Sequence, residues 1–188
     1  MNNNVSSPIL QAIYRGEPEA ARRLAVDGGA LDVFEAAALG DIAALRGLLE
    51  LNPTLAREIG ADGFAPLHLA AFFGMSECVV ALIDAGADPA LPSANAMLVT
   101  PLHSAVSRHN VDNVRALLEA GAPVDARQQG GLTALHAAAH NGDWAIVDML
   151  LVHGADRSIA DAGGKTAAQH AREGGHAAIV KVLETNNS

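Results

Sequence analysis

A segment of about 33 residues repeats along the chain, and this period constrains the fold more than any other feature of the sequence. Its clearest copies begin at Pro66, Pro101, Ala134 and Ala167, so that successive starts lie 35, 33 and 33 residues apart. A second apolar run follows the first in every copy. Since a repeat of this length is typical of solenoids, in which each unit contacts only its neighbours, the chain is predicted to form one continuous stack.

Each repeat is predicted to contain two short amphipathic helices. Apolar residues recur at positions i, i+3 and i+4 in each half, as in Leu67, Ala70 and Ala71. Glycine follows the first helix, for example at Gly74, where a reversal of the chain needs a positive φ. Thr100 precedes a proline at a helix start, and its hydroxyl is expected to cap backbone N–H groups. Because helices this short are marginal alone, each pair must bury its apolar face against the neighbouring pairs.

The motifs of these units resemble those of a known family. The run D-x-G-G-x-T-A-x-x-x-A-R-E-x-G-H from Asp161 to His176, the TPLH from Thr100 and the repeated L-L-x-x-G-A look like ankyrin repeats. The resemblance extends over nearly the whole chain, from Ile9 to about Glu184. It implies an all-α ankyrin-repeat solenoid of helix-turn-helix units joined by short β-hairpin fingers. It also implies a concave face that binds other macromolecules, usually proteins, and it argues against catalysis.

About six units are predicted within a single domain that spans residues 1–188, the first of them a truncated capping unit. The predicted units cover residues 8–30, 31–59, 60–92, 93–127, 128–160 and 161–185. Two places depart from a regular array. Residues 28–32 leave no room for a full finger between the first two units, and residues 95–99 lengthen the finger of the fourth unit.

Composition narrows the class of partner. The 188 residues include 12 Lys and Arg against 21 Asp and Glu, and a net charge of −9 does not suit binding to nucleic acid. We find no apolar stretch of membrane-spanning length and no signal-like start, so we expect no membrane contact and a cytoplasmic location. The single cysteine, Cys78, rules out an intramolecular disulfide.

Few residues suggest a catalytic, metal-binding or phosphate-binding site. His136 and His140 have the i, i+4 spacing of zinc sites but lack the Glu of H-E-x-x-H, so a metal site there is an alternative that would require stoichiometric bound metal. His68, His103 and His136 recur at one position, and each ring is expected to hydrogen-bond the backbone of the adjacent finger. The GGKT at residues 163–166 lacks the earlier glycine of a phosphate-binding loop. We therefore expect no catalytic residue, no metal, no cofactor and no enzyme activity.

Function in a repeat protein is expected where a unit differs from its siblings on the exposed face, at finger tips and at the two positions before the inter-helix glycine. Three of the four phenylalanines fall at such positions. Exposed apolar surface of this kind is typical of interaction sites. The predicted partner-binding residues are Phe64, Phe72, Phe73, Met97, Val99, Arg108, Leu132, His140 and Asn141. For Phe73, burial at the junction of finger and helix is an equal alternative.

The central units are acidic as well as apolar. From Glu58 through Ser107 the chain has five carboxylates and no Lys or Arg. A protein partner with apolar anchors and a basic rim would be attracted to such a surface. The leading hypothesis is therefore an adaptor or inhibitor, monomeric when free, that binds one protein on its concave face. The alternative is a structural protein in which the same patch pairs two copies.

Overall fold

The computed structural model describes residues 7–185, and in this part the chain forms twelve α-helices and two short 3-10 helices. The α-helices are α1 (Pro8–Tyr14), α2 (Pro18–Gly28), α3 (Val33–Leu39), α4 (Ile42–Leu51), α5 (Pro66–Phe73), α6 (Ser76–Asp84), α7 (Pro101–Ser107), α8 (Val111–Glu119), α9 (Ala134–Asn141), α10 (Trp144–Val152), α11 (Ala167–Glu173) and α12 (Ala177–Glu184). The 3-10 helices are Pro53–Arg57 and Gln129–Gly131. None of these helices is both long and apolar enough to cross a membrane.

The helices stack in chain order as two rows. From α3 to α11 each odd-numbered helix contacts the next odd-numbered helix, and from α4 to α10 the even-numbered helices do the same. One apolar core runs through this stack from Val33 to Leu183. Ala70, Ala105 and Ala138 occupy the same register position and are fully buried, because a small side chain lets neighbouring odd-numbered helices approach closely. The predicted all-α solenoid is confirmed.

Left-handed residues end the odd-numbered helices. Gly74 and Gly142 have φ values of +79° and +80°, as the turn prediction requires. In the fourth unit His109 stands at this position with a φ of +56°. An L side chain in this conformation costs about 1–2 kcal/mol. The Nδ1 of His109 lies 2.7 Å from the Oδ2 of Asp143, and this contact offsets part of the strain.

The fingers of the third to sixth units are tight turns with little β structure. Within residues 7–185 we find no strand, and one isolated antiparallel bridge joins Ala160 and Thr166. A backbone hydrogen bond closes each finger across four positions, except in the fourth unit, where the bond from Ser93 to Val99 spans six. The predicted lengthening of this finger is therefore present. Neighbouring fingers are also joined, since Ala94 donates its N–H to the carbonyl of Gly63.

Buried histidines connect each helix to the finger of the next unit, as predicted. The Nε2 atoms of His68, His103 and His136 lie 2.9, 3.3 and 3.1 Å from the carbonyl oxygens of Val99, Leu132 and Lys165, respectively. Burial lowers the pKa of all three rings, in the case of His103 to about 4. At neutral pH the rings are therefore uncharged, with Nε2 donating to the finger carbonyl.

The other ring nitrogen of these histidines changes the expected capping. Nδ1 of His103 accepts a hydrogen bond from the backbone N–H of Thr100, and the Thr100 hydroxyl lies 2.8 Å from the same atom. Thr133 and His136 repeat this arrangement. The prediction that the Thr100 hydroxyl caps helix N–H groups is wrong, because this hydroxyl pairs with the His103 ring instead.

The first unit is attached differently from the others. Helix α2 ends at Gly28 and α3 begins at Val33, so the short connection leaves no room for a finger. Helices α1 and α2 share a small core around Ile9 and Ala12 that is separate from the main core. Helix α1 also reaches the third unit, since Leu10 belongs to a cluster that includes Leu69.

Candidate functional site

An apolar groove of about 390 Å³ lies between the fingers and odd-numbered helices of the third and fourth units. We define this apolar groove by the wall residues Tyr14, Phe64, Phe72, Met97, Val99 and Ser107. Four of these six belong to the predicted partner-binding set. Its volume lies toward the lower end of the range of about 300–1,000 Å³ that ligand sites occupy, which suits one or two side chains of a partner.

Phe72 and Met97 are the open walls of the apolar groove. They are 39% and 51% exposed, which agrees with the expectation of apolar side chains facing solvent. Phe64 is half-buried, and its ring centroid lies 5.8 Å from that of His68. The finger therefore holds Phe64 against a neutral histidine, and the floor of the groove carries no charge.

Val99 was expected to be exposed, and this expectation is wrong. The residue is only 8% exposed. Its carbonyl accepts the N–H of Ser93, and its own N–H donates to the hydroxyl of Ser93, at 2.7 and 2.9 Å. These two bonds close the longer finger and fix Val99 at its base, where the side chain forms a wall of the groove without standing free.

Phe73 is half-buried and does not line the apolar groove. Its ring packs edge-on against Phe72, with centroids 5.1 Å apart, and lies 6.1 Å from the ring of Tyr14. It also belongs to the cluster that joins Leu10 of α1 to Leu69 of α5. Of the two alternatives for Phe73, the structure favours a packing role, here against the first unit.

Tyr14 is a wall residue that the sequence analysis missed. Its hydroxyl donates a hydrogen bond to the carboxylate of Asp62 in the finger of the third unit. Burial, with a smaller effect of Asp62, raises the pKa of Tyr14, so that the phenol stays neutral. No sequence signal marks this contact, because it joins residues 48 positions apart through the packing of α1 on the third unit.

Arg108 lies beside Phe72, a wall residue of the apolar groove. Its guanidinium carbon is 5.4 Å from the centroid of the Phe72 ring, a cation–π contact between the fourth and third units. Beyond Phe72 and Tyr14 there is a second groove of about 490 Å³, whose walls also include Phe73, Arg22 and Arg108. Phe72 and Tyr14 thus separate an apolar groove from one with two guanidinium groups.

The structure does not bring the remaining predicted residues to either groove. Leu132 is half-buried in the next finger, where its carbonyl accepts the hydrogen bond from His103. His140 and Asn141 are exposed at the end of α9, in the fifth unit. Their role in partner binding stays a prediction.

A cluster of titratable side chains occupies the fifth and sixth units. The Nε2 of His170 lies 2.8 Å from the Oδ2 of Asp161, and the His140 ring centroid is 6.2 Å from that of His170. The backbone N–H of Lys165 and the ring of His170 lower the pKa of Asp161 to about 2. Both ring nitrogens of His136 are engaged in the contacts described above. In the part of the chain that the structure describes, no three His, Cys, Asp or Glu side chains are placed to hold a metal ion together.

Two family models match the chain, and both describe ankyrin repeats. A model of three copies matches residues 33–128, and a model of many copies matches residues 117–171. Together the two segments run from the start of α3 into α11.

The chain is also similar to two larger proteins of Oryza sativa subsp. japonica. The probable E3 ubiquitin-protein ligase XBOS31 is 42% identical over 94 residues, which are 50% of this chain and 21% of that protein. The E3 ubiquitin-protein ligase XB3 is 39% identical over 94 residues, or 50% of this chain and 20% of that protein. The similarity therefore spans about one fifth of each ligase.

Proposed function

Because the chain belongs to the ankyrin-repeat family, we propose that it is an adaptor or inhibitor that binds one partner protein on its concave face without catalysis. Ankyrin repeats generally mediate protein–protein interaction. The observation that carries the proposal for this chain is the apolar groove, whose open walls are the exposed Phe72 and Met97.

The apolar groove has two features of an anchor site, namely large apolar side chains that a partner can bury and a floor without charge. Burial of each large apolar side chain contributes about 1.5–3 kcal/mol, and a few such anchors carry most of the energy of an interface. Met97 adds a flexible thioether that adapts to the shape of an incoming side chain. Beneath these residues His68 and His103 are neutral at physiological pH, so an apolar group does not have to displace a charge.

Electrostatics favours a partner whose apolar anchor is surrounded mostly by basic groups. The segment from Glu58 through Ser107 contributes only negative charge, and Asp62 lies at the Tyr14 wall of the apolar groove. A net charge of −9 disfavours nucleic acid. A cytoplasmic location, a monomeric free state and the absence of membrane binding belong to the same proposal.

The two similar ligases bear on this proposal only through their repeats. The aligned 94 residues fall within a chain whose family matches are all ankyrin repeats, and they leave about four fifths of each ligase unmatched. This similarity supports a shared binding scaffold and gives no support for ubiquitin transfer by this chain.

Affinity capture from the native lysate tests the proposal, with quantitative mass spectrometry of the proteins retained by three baits. The baits are the wild-type chain, Phe72→Asp and Val152→Asp. Val152 is 76% exposed at the end of α10, so its replacement places the same charge on an exposed apolar site outside both grooves. We expect one protein to be retained by the wild type and by Val152→Asp and to be lost with Phe72→Asp.

Two other results would contradict the proposal. If every protein retained by the wild type is also retained by Phe72→Asp, the groove is not the binding site. If no protein is retained and sedimentation shows a wild-type dimer that Phe72→Asp lacks, the chain is the self-associating protein of the alternative hypothesis.

A further inference from the structure

We propose that the partner binds through a short segment in which an apolar side chain fills the apolar groove and a neighbouring carboxylate binds Arg108. This inference rests on the proposed function and adds the chemistry of the partner at that site. The partner would therefore carry an acidic residue beside its anchor, although most of the surrounding surface attracts basic groups.

Arg108 has free hydrogen-bonding capacity. In the part of the chain that the structure describes, its side chain lies over the ring of Phe72 and makes no hydrogen bond or ion pair. Other arginines are engaged, for example Arg22 with Glu19 and Arg172 with Glu184. Because the N–H groups of its guanidinium have no partner in this part of the chain, Arg108 can bind a carboxylate with two parallel hydrogen bonds.

Because the two grooves adjoin, the carboxylate of the partner would lie beside its apolar side chain. Phe72 and Tyr14 line both grooves, so a chain that leaves the apolar groove across this ridge enters the second groove directly. Arg108 lies on that side, together with Arg22. Since consecutive residues of an extended segment are about 3.3 Å apart, a side chain within a few positions of the anchor reaches the guanidinium.

The backbone around Arg108 is already fixed. The N–H of Arg108 donates to the carbonyl of Ala105, and that of His109 donates to Val106, at 3.2 and 3.0 Å. The pairing of His109 with Asp143 holds the following turn against the fifth unit. Binding therefore orders little of the receptor backbone, and this lowers the entropic cost of using Arg108 as an anchor.

The surrounding charge gives the segment a direction. Asp62 lies in the finger of the third unit beside the hydroxyl of Tyr14, and it does not line the second groove, where Arg108 lies. A carboxylate placed there would be repelled, whereas one placed over Arg108 is attracted. The acidic group therefore belongs on the side of Arg108, and basic groups belong on the side of the third-unit finger.

Selection from a random peptide library displayed on phage tests the inference, with the full chain as the immobilised target. Four targets are compared: the wild type, Arg108→Glu, Phe72→Asp and Arg115→Glu. Arg115 is an exposed arginine at 3.7 Å from Asp112, so its replacement makes the same change in net charge away from the grooves. We expect wild type and Arg115→Glu to enrich peptides with Asp or Glu within three positions of a large apolar residue. With Arg108→Glu the apolar residue should stay and the acidic preference should disappear.

Titration calorimetry with one selected peptide gives the size of the effect. We expect Arg108→Gln to weaken binding at least tenfold and the amide form of the peptide to weaken binding to the wild type by a similar factor. The amide form should cause no further loss with Arg108→Gln. Circular dichroism checks that both Arg108 variants keep the helical fold, which is expected because Arg108 is exposed.

The results that would contradict the role of Arg108 differ from those that would contradict the proposed function. If enriched peptides need Phe72 but show no acidic residue, or keep it with Arg108→Glu, the role of Arg108 is wrong and the proposed function stands. If no peptide depends on Phe72, the protein-binding groove and the inference both fail. A concentration-dependent dimer that Arg108→Glu abolishes, without any enriched peptide, would assign the carboxylate to a second copy of this chain and overturn the inference.

Discussion

The face formed by fingers and odd-numbered helices differs between the third and fourth units and the fifth and sixth units, although both regions are built on the same helix pairs. The former presents Phe72 and Met97 around an apolar groove. The latter presents polar groups that mostly satisfy one another, such as Lys165 and Glu173 at 2.6 Å. At the register position of Phe72 the fifth unit has His140.

Beneath this difference the two regions are alike. His68 and His136 make the same contact with the next finger, and Leu82 and Leu150 are fully buried at the same register position. The scaffold thus depends on residues that recur, and the surface chemistry depends on exposed positions that vary. A change at a varying position should alter binding at little cost in stability, whereas a change at a recurring position should do the reverse.

Truncation of the core should affect the two regions equally. We expect Leu82→Ala and Leu150→Ala each to lower the free energy of unfolding by about 2–5 kcal/mol, because both leave a cavity in a closely packed stack. Urea denaturation followed by circular dichroism measures both losses. A loss below about 1 kcal/mol for only one of them would show that the two regions do not share one scaffold.

The pH dependence of stability should differ between units that use a buried histidine at this helix start and the sixth unit, which has a glutamine there. There Gln169 accepts the N–H of Thr166 at 2.8 Å, as the histidines do in earlier units. Burial lowers the pKa of His103 to about 4, below the ordinary value of 6.5. Between these values the unfolded chain binds more protons than the folded chain, so the stability of the wild type falls as the pH drops through this range.

As the pH falls from 6.5 to 4, we therefore expect His103→Gln to lose up to about 3 kcal/mol less free energy of unfolding than the wild type. Above pH 6.5 the substitution should not change how the free energy of unfolding depends on pH. Urea denaturation at pH 7.5 and pH 4.5 gives the comparison. An equal loss for wild type and variant between the two pH values would mean that His103 is not responsible for the acid sensitivity.

Glycine, which the fifth unit has at this turn, should stabilise the protein when it replaces His109 in the turn of the fourth unit. His109 has a φ of +56°, where Gly142 has a φ of +80°. We expect His109→Gly to raise the free energy of unfolding by about 1 kcal/mol, because relief of the strained backbone outweighs the loss of the exposed contact with Asp143. Thermal denaturation would contradict this if the variant melted below the wild type.

Substitution of Phe72, the exposed residue before the turn of the third unit, should change the free energy of unfolding least. We expect Phe72→His, which gives the third unit the residue of the fifth, to change the free energy of unfolding by about 0.5 kcal/mol or less, since the side chain is 39% exposed. Retention of the partner should nevertheless be lost, because the apolar groove loses an open wall. Denaturation and capture on the same protein samples measure the two effects, and a loss of both would mean that Phe72 belongs to the scaffold.

The parts of the fold that the sequence predicts are those that recur. Gly74, Gly142 and the histidines stand at the same place in several units. The glycines end the helices of their own units, and each histidine contacts the finger of the next unit. The exposure of Phe72 and Met97 follows from the same register argument. Local period and nearest-neighbour packing are therefore enough to place them.

The missed features depend on contacts that do not recur. Tyr14 reaches Asp62 because α1 crosses to the third unit. Val99 is buried because the longer finger closes on Ser93. The stacking of Arg108 on Phe72 depends on how adjacent units are placed side by side. Such contacts are invisible to a pattern that treats every unit alike.

The separate core of the first unit gives its amides a distinct behaviour in hydrogen exchange. Helices α1 and α2 can open without breaking the main core, so their amides should exchange before those of α5 or α7. Tyr14 leaves with them, and both grooves then lose a wall. A ligand that needs this wall binds only the closed form and slows exchange in α1 by mass action. The amides of residues 9–14 thus become a reporter of groove occupancy, at a helix that lines the apolar groove through one side chain.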